Sequence, residues 1–538
     1  MIRAEREIAR KYHLDFRVFV ELMANRVREI LLVASRYEAF ILEEDVTLAS
    51  RIISEYSGLN LSLPPRVTRC FSAEQALRLI RERPFDLVIA MPNLEDMDAS
   101  SLGVLIKERR PSLPVYLLAH SLRGLEKVTE CFKIPGIDKI FIWSGNADLV
   151  LAIIKSTEDA LNVEYDTTHA QVCVLIFVED SPEYYSRLLP IFYKEVVRQI
   201  QAVLELGVNE EERLLIMRTR PKILWAQSFD EAFSLYGKYK DNLLGIISDS
   251  RIPRNGRLCQ DAGCDLLALA KEENPHLPLL LFSSEPHYRT RAERMHTEFI
   301  DKNSPFLKDE IHAFFLHHLG FGDFVFRIPD GKEVARARKL RELEECLRGV
   351  PEESLRHHIA RKDMATWVMM RSEIPLARTI RDISESMFPS TQAMREHIVS
   401  LVHIVRKWRQ KGVVTKFNRN EFSVDLLEFA KIGDGSLGGK ARSIAFMSFL
   451  LQDNLDIHDR YPQCTIGIPQ TVVLATDIFE EFVEKNHLGR YALEGHTDEE
   501  IARAFLDAEL PERVVDDLRE YLVQVGYPLS VRSSSLLE

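Results

Sequence analysis

Between Gln171 and Leu319 the apolar positions fall into short unbroken blocks rather than stripes. Val172–Val178 stops on two adjacent acids, Glu179 and Asp180. Leu243–Ser248 stops on Asp249, Leu277–Phe282 stops on Ser283, and Glu298–Asp301 is followed by Lys302. A continuous apolar run bounded by polar residues predicts a strand buried on both faces. Helical spacing lies between the runs, so the alternation predicts a parallel sheet covered by helices. Each terminal polar residue then falls at the carboxyl end of a strand, where open α/β sheets place their sites.

The same alternation occupies residues 28–160, with different endings. The strand at Ile30–Val33 is followed by Ala34 and Ser35 where the later copy has its acid pair. Phe85–Ala90 leads to Met91, Pro114–Leu118 to Ala119, and Asp138–Ile142 to Trp143. Every reactive group of the later copy is replaced, so the first copy reads as a duplicate without its chemistry. Ahead of it, Ile8, Tyr12, Phe16, Phe19 and Met23 recur every three or four residues and predict a helix over 1–27. That helix suits dimerisation or packing on its own domain.

Three carboxylates at one sheet edge repel one another unless a hard cation neutralises them, and Mg²⁺ prefers such oxygen ligands. With the cation held by Glu179, Asp180 and Asp249, Asp249 can attack an incoming phosphoryl group as a nucleophile. Ser283 can then hydrogen-bond the phosphoryl oxygens and Lys302 can pair with them. On these residues, with Pro253 four positions after Asp249, the segment resembles the receiver domain of two-component response regulators. Two features depart from that family. Asn303-Ser304-Pro305 delays the proline that usually follows the lysine, and a charged insert around Asn209–Pro221 precedes a strand at Ile223–Trp225. The resemblance implies Asp249 as phosphoacceptor, a sensor histidine kinase or other phosphodonor as partner, and a pseudo-receiver over 28–160.

After Phe326 the alternation ends. Lys332–Arg348 predicts a charged helix, and helical patterns continue to about Gly412, punctuated by Pro351, Pro375 and Pro389. His357 and His358 are adjacent, so they point to different sides of a helix and do not suit one metal. The basic run Arg406–Lys411 predicts a solvated helix end, where cations suit the dipole. A third informative stretch is Lys431-Ile-Gly-Asp-Gly-Ser-Leu-Gly-Gly-Lys440 before a helix at Ala441–Leu451. Glycines ahead of a helix let backbone N–H groups approach phosphate. Asp434 and Ala441 stand where a P-loop needs Gly and Ser or Thr, so it is not one. Ile466–Leu474 predicts a strand, Thr497–Glu500 a capping box, and Pro528–Ser535 a short strand carrying Arg532.

Together the Gly-Gly-Lys loop, the Ile-Pro strand and the Val-Arg-Ser-Ser segment resemble the nucleotide-binding domain of phosphoenolpyruvate synthase and pyruvate, phosphate dikinase. The resemblance implies that Gly438, Gly439, Lys440 and Arg532 contact ATP. It covers about the last hundred residues. The acidic metal ligands, transfer histidine and pyruvate barrel of that family are absent from the sequence, so a partial lobe is expected, without dikinase activity of its own. The expected fold is thus α/β: two flavodoxin-like (βα)5 receiver-type domains at 28–160 and 171–322, a helical linker at 323–425, and a partial ATP-grasp-like lobe at 426–538. Two functions compete: a response regulator controlling a phosphotransferase module, and a non-catalytic adaptor whose last lobe only senses nucleotide or mediates contacts.

Composition narrows the remainder. With 538 residues and 46% apolar content, several packed cores are expected. The net charge of −12, from 82 acids against 70 bases, argues against a nucleic-acid binder. No apolar run of about 18 residues and no leader pattern is present, so a cytoplasmic protein without membrane contact is expected. Seven scattered cysteines show no zinc spacing.

Overall fold

The computed structural model describes residues 21–42, 64–121, 134–146, 148–204, 217–410, 414–419, 429–454 and 466–534, with scattered positions between these ranges. The chain divides into two compact units. One runs to Arg338 and resumes at Val350–Thr391; the other holds Lys339–Gly349 and the chain from Gln392 onward.

In the first unit, the strands β1 (Glu29–Val33), β2 (Arg66–Cys70), β3 (Leu87–Ala90), β4 (Val115–Ala119) and β5 (Lys139–Ile142) form one sheet. Its order is β2-β1-β3-β4-β5, and every pairing is parallel. The helices α1 (Arg36–Leu42), α2 (Ala73–Glu82), α3 (Ala99–Arg109) and α4 (Asp148–Ala170) belong to this half. Val33, Val88, Leu117, Ala76, Leu102 and Ile106 share its core. Ser72 and Asp98 start α2 and α3 by accepting backbone N–H groups of the first turn.

The second sheet repeats the plan with β6 (Val174–Val178), β7 (Lys222–Ala226), β8 (Leu243–Asp249), β11 (Leu279–Ser283) and β12 (Glu298–Asp301). The order β12-β11-β8-β6-β7 is the same 2-1-3-4-5 arrangement seen in flavodoxin-like folds. A hairpin of β9 (Ile252–Arg254) and β10 (Arg257–Cys259) rises after β8. The helices are α5 (Pro182–Leu204), α6 (Phe229–Tyr239), α7 (Ala262–Glu273), α8 (Tyr288–Arg294) and α9 (Leu307–His317). The mixed α/β class and the flavodoxin-like receiver-type sheets are therefore features of the structure.

The two halves meet through a polar seam. Helix α4 continues to Ala170, ten residues past the predicted end of the first domain, and buries Glu158, Asp159, Asn162 and Asp166. Asp159 takes the Arg220 guanidinium at 2.6 and 3.0 Å, the Tyr193 hydroxyl at 3.0 Å and the Ile223 N–H at 2.9 Å. Asp166 pairs with Lys222 at 2.8 Å, both side chains wholly buried. Burial of such charges is tolerated because each is paired and further hydrogen-bonded. Beside them Trp225 of edge strand β7 lies against Phe141 of edge strand β5 and against Tyr185.

Some expectations are not met, and others fall outside the described residues. Of the predicted N-terminal helix, residues 1–20 lie outside the described residues, and 21–27 form a turn and irregular chain, with Met23 at φ +55°. The Asn209–Pro221 insert lies mostly outside the described residues as well. The predicted helix from Lys332 begins only at Leu340. Before it, β13 (Phe324–Arg327) and β14 (Glu333–Ala337) pair antiparallel. The alternation of buried and solvated positions over Phe324–Arg327 is a period-2 pattern, and it gives β14 a partner that local spacing does not reveal. Then come α10 (Leu340–Gly349), α11 (Glu352–Arg361), α12 (Asp363–Met370), α13 (Ile374–Asp382) and α14 (Thr391–Gln410).

In the second unit, Glu344 on α10 accepts Arg348 at 2.6 Å and His403 at 3.2 Å, and also pairs with Arg406. Arg406 is thus held by a carboxylate rather than solvated as predicted. A small parallel sheet, β15 (Thr415–Lys416), β16 (Phe429–Ile432) and β17 (Thr471–Leu474), packs Ile432 with Ile478, Val514 and Tyr521. Its helices are α15 (Gly439–Asp453), α16 (Thr476–Lys485), α17 (Leu488–Leu493), α18 (Asp498–Asp507) and α19 (Glu512–Val525). The predicted capping box opens α18. Pro528–Ser534 pairs into no sheet among the described residues, contrary to the predicted strand. No helix among the described residues is long and apolar enough to cross a membrane.

Candidate functional site

Adjacent parallel strands of the second sheet end level with one another, which places their terminal residues side by side. Phe282 of β11 is in register with Asp249, and Ser283 with Asp301. The Lys302 N–H donates to the Ser283 carbonyl at 3.1 Å, bringing the lysine back over the strand ends. One carboxylate oxygen from each of Glu179, Asp180 and Asp249 lies within 4.8 Å of the others. Lys302 Nζ stands 2.5 Å from Glu179 Oε2 and 2.8 Å from Asp249 Oδ2, and 4.3 Å from the Tyr184 ring centroid.

Three carboxylates face one ammonium, so two negative charges would go uncompensated if all were ionised. Burial therefore pushes Glu179 up to about 8, against the pull of Lys302 and with a further push from Asp249. Burial and then Asp249 push Asp180 up to about 6. Burial works against the Lys302 charge, but Glu179 and Asp249 outweigh it and hold the ammonium above its ordinary value. The cup thus retains a proton near neutral pH that a bound cation would displace. Its donors are carboxylate oxygens with no nitrogen or sulfur, which fits a hard divalent ion such as Mg²⁺.

Ser283 is buried, its Oγ 2.9 Å from Ser250 Oγ and accepting the Glu285 N–H at 3.2 Å. Ser250 was not singled out from the sequence. It donates its N–H to Asp249 Oδ1 at 2.6 Å and links the acceptor to Ser283. Its one local signal is a second polar residue directly after a strand-end acid. Gly263, in the first turn of α7, lets that helix approach: a Cβ there would stand 1.7 Å from the Asp249 carbonyl oxygen. Trp225 Nε1 donates to the Glu179 carbonyl at 2.9 Å.

The first sheet has the same scaffold. Ala34 donates its N–H to the Cys70 carbonyl as Glu179 does to Ala226, and Trp143 donates to Ala119 as Lys302 does to Ser283. Ala34, Met91, Ala119 and Trp143 are all buried. At the corresponding positions the side chains are apolar except Ser35, whose hydroxyl donates to the Glu38 carboxylate at 3.3 Å.

In the second unit, Gly438 is the N-cap of α15, and a Cβ there would meet the Ser534 carbonyl oxygen at 2.0 Å. Ser534 Oγ accepts the Ala441 N–H at 3.1 Å. The glycine loop and the segment carrying Arg532 are therefore adjacent, with Lys440 and Arg532 exposed. Asp477 and Thr476 brace the loop through the N–H groups of Asp434 and Ser436. His358, on α11, accepts the Arg327 N–H on Nε2 at 2.8 Å, which leaves Nδ1 protonated and donating to Asp363 at 3.0 Å. That ring links β13 to the start of α12.

No family model matches the chain, and no curated protein matches it. Among solved structures, the receiver domain of an HD domain-containing protein from Pseudomonas fluorescens is 24% identical, with 26% of this chain and 94% of that chain covered and a TM-score of 0.20. The receiver domain of a sensor histidine kinase from Pseudomonas aeruginosa, with magnesium in its active-site cleft, is 17% identical over 24% of this chain and 98% of that chain, with a TM-score of 0.19. A two-component system response regulator/GGDEF domain protein is 14% identical over 54% of this chain and 98% of that chain, with a TM-score of 0.25.

Proposed function

We propose that the second receiver-type domain accepts a phosphoryl group on Asp249 and that the chain is a response regulator of a two-component relay. The observation that carries this reading is the grouping of Glu179, Asp180 and Asp249 around Lys302, beside Ser283, at the carboxyl edge of one sheet. Glu179, Asp180 and Asp249 would hold Mg²⁺, which supplies the positive charge that lets a phosphate approach the acids. An Asp249 carboxylate oxygen attacks phosphorus, the bond from phosphorus to the donor breaks with its electron pair leaving on the donor, and an acyl phosphate forms. Lys302 then exchanges a carboxylate for a phosphoryl oxygen, and the Ser283 hydroxyl leaves Ser250 to donate to another. Charge-assisted bonds of this kind contribute roughly 1.5–3 kcal/mol each. Two of them are enough to shift a two-state surface by one or two orders of magnitude.

The partner is a sensor histidine kinase or another phosphodonor. The first domain, with no acids at the matching positions, serves as a packing partner. The loop at Gly438, Gly439 and Lys440, with Arg532 beside it, binds nucleotide phosphate and makes the second unit a nucleotide-binding output of the phosphoenolpyruvate synthase type. Incubation with a small-molecule phosphodonor and Mg²⁺, followed by peptide mass mapping, is expected to place one phosphoryl group on Asp249. Label on residues 28–160, or none anywhere, overturns the assignment. For the output, Lys440→Ala is expected to weaken ATP binding, and an unchanged affinity removes that part.

A further inference from the structure

The strand end that carries Glu179 leads into a helical turn that serves two neighbours. Tyr184, Tyr185 and Ser186 are consecutive residues near the start of α5, so their side chains fan out to different sides. Tyr184 lies at the acidic cup, with Lys302 Nζ 4.3 Å from its ring centroid. Tyr185 and Ser186 reach to β5, the edge strand of the first sheet. The Tyr185 hydroxyl donates to the Ile140 carbonyl, and Ser186 Oγ accepts the Ile142 N–H at 2.9 Å. An edge strand leaves a row of backbone groups without ladder partners, and here one turn of helix takes two of them.

Trp225 closes the bridge from β7. Lys139 and Phe141 lie two residues apart on β5 and therefore share a face of that strand. Lys139 Nζ stands 4.7 Å from the Trp225 ring centroid, and the Phe141 ring centroid 5.9 Å from it. Tyr185 packs on the same indole at 3.9 Å. Phe141 and Tyr185 are wholly buried and Trp225 nearly so. A buried indole needs a partner for its N–H, and this one donates to the Glu179 carbonyl at 2.9 Å. The Glu179 N–H donates in turn to the Ala226 carbonyl at 3.0 Å. Both backbone groups of this cup residue are thus fixed by β7, and the ring that fixes one of them is clasped by the first domain.

From this unbroken series of contacts, we infer that Trp225 is a positioning residue for Glu179, and that the first domain, through β5, sets how firmly the cup holds a divalent cation. This rests on the proposed role of Glu179, Asp180 and Asp249 as Mg²⁺ ligands. A cation draws together carboxylate oxygens that otherwise repel one another. A Glu179 backbone already held at its N–H and its carbonyl has less freedom to lose on binding, so affinity rises. Linkage is reciprocal: whatever the β5 contact adds to cation affinity, the cation returns to the β5 contact. The domain without acids is then a regulator of the one that has them, and loosening it lowers the fraction of cups loaded at a given Mg²⁺ concentration.

The test combines calorimetric titration of the full chain with Mg²⁺ and hydrogen exchange read by mass spectrometry over β5. Trp225→Phe keeps an aromatic ring and removes the N–H, and Ser186→Ala removes one tie to β5. At least one of them is expected to weaken Mg²⁺ binding about three- to tenfold, the scale of one hydrogen bond. In the unsubstituted chain Mg²⁺ is expected to slow exchange over β5, which lies in the other domain and contributes no ligand. Asp249→Asn is expected to remove that protection. Slower exchange that is lost in Asp249→Asn, with weaker binding in either bridge variant, supports the inference. Exchange indifferent to Mg²⁺, or protection that survives Asp249→Asn, overturns it. Unchanged affinity in both bridge variants, with Mg²⁺ still bound, overturns it and spares the cup. No Mg²⁺ binding by the unsubstituted chain defeats the cup itself, and this inference with it. Should Trp225→Phe fail to fold, Ser186→Ala and the unsubstituted chain still decide.

Discussion

The two receiver-type sheets share strand order, parallel pairing and the backbone hydrogen bonds at their carboxyl edges, yet only one has chemistry there. Where the second presents Glu179, Asp180, Asp249, Ser283 and Lys302, the first presents Ala34, Ser35, Met91, Ala119 and Trp143. The fold fixes where strand-end residues meet, and side chains alone decide whether the meeting point is a charged cup or a plug. Losing the acids also removes the need for a cation, so the first copy can be filled and used as a wall. Its edge strand β5 and helix α4 cover the second domain through Phe141, Asp159 and Asp166.

The contrast can be tested by substitution. The largest expected effect is at Asp249. Asp249→Asn should abolish phosphoryl labelling, whereas Met91→Asp should not create a labelled residue 91, because Ala34, Ala119 and Trp143 supply neither cation nor donor. A phosphorylated Met91→Asp chain, detected by mass mapping, would mean that the scaffold matters more than its side chains.

The seam comes next. Asp159→Ala removes the partner of a buried guanidinium and strands Tyr193 and the Ile223 N–H. Breaking a buried pair from one side costs about 3–5 kcal/mol, so the midpoint of urea unfolding for this unit should fall markedly. A shift within error would show that the two halves stand independently. Gly263→Ala should cost less, about 1–3 kcal/mol, since α7 can retreat from the Asp249 carbonyl. Its readout is lower thermal stability together with slower labelling. Stability without change would mean that the close approach is unnecessary.

The smallest expected effect is on pH dependence. Both raised carboxyls, Asp180 at about 6 and Glu179 at about 8, must release protons before they hold a cation. Mg²⁺ affinity should therefore rise from pH 6 to pH 8, by about tenfold per proton released for each pH unit crossed. In the absence of metal the sign for stability is opposite. The folded state holds these protons more tightly than the unfolded chain, so their contribution is greatest at low pH and declines as pH rises through 6 to 8. Equal Mg²⁺ affinity at the two pH values, by titration calorimetry, would refute the protonated-cup account.

Much of the scaffold was legible from local pattern. Apolar runs marked nine of the ten strands of the two large sheets, because a strand buried on both faces must be continuously apolar. The residue ending each run had to lie at the sheet's carboxyl edge. Segments failed where the deciding contact was distant. β14 is charged and reads as helix until β13 pairs with it, and Pro528–Ser534 finds no strand partner to complete its ladder. The same holds for Arg406, whose partner Glu344 lies 62 residues away.

What the sequence determined by itself was therefore the alternation, the strand ends and the loss of reactive groups from the first copy, since these depend only on residue type and spacing. Tertiary structure alone decided that Ser250 bridges Asp249 to Ser283 and that α4 turns its acids inward onto Arg220 and Lys222. A charged residue belongs by default in water, and nothing in its own neighbourhood along the chain shows that a counter-charge 61 residues away will hold it in the interior.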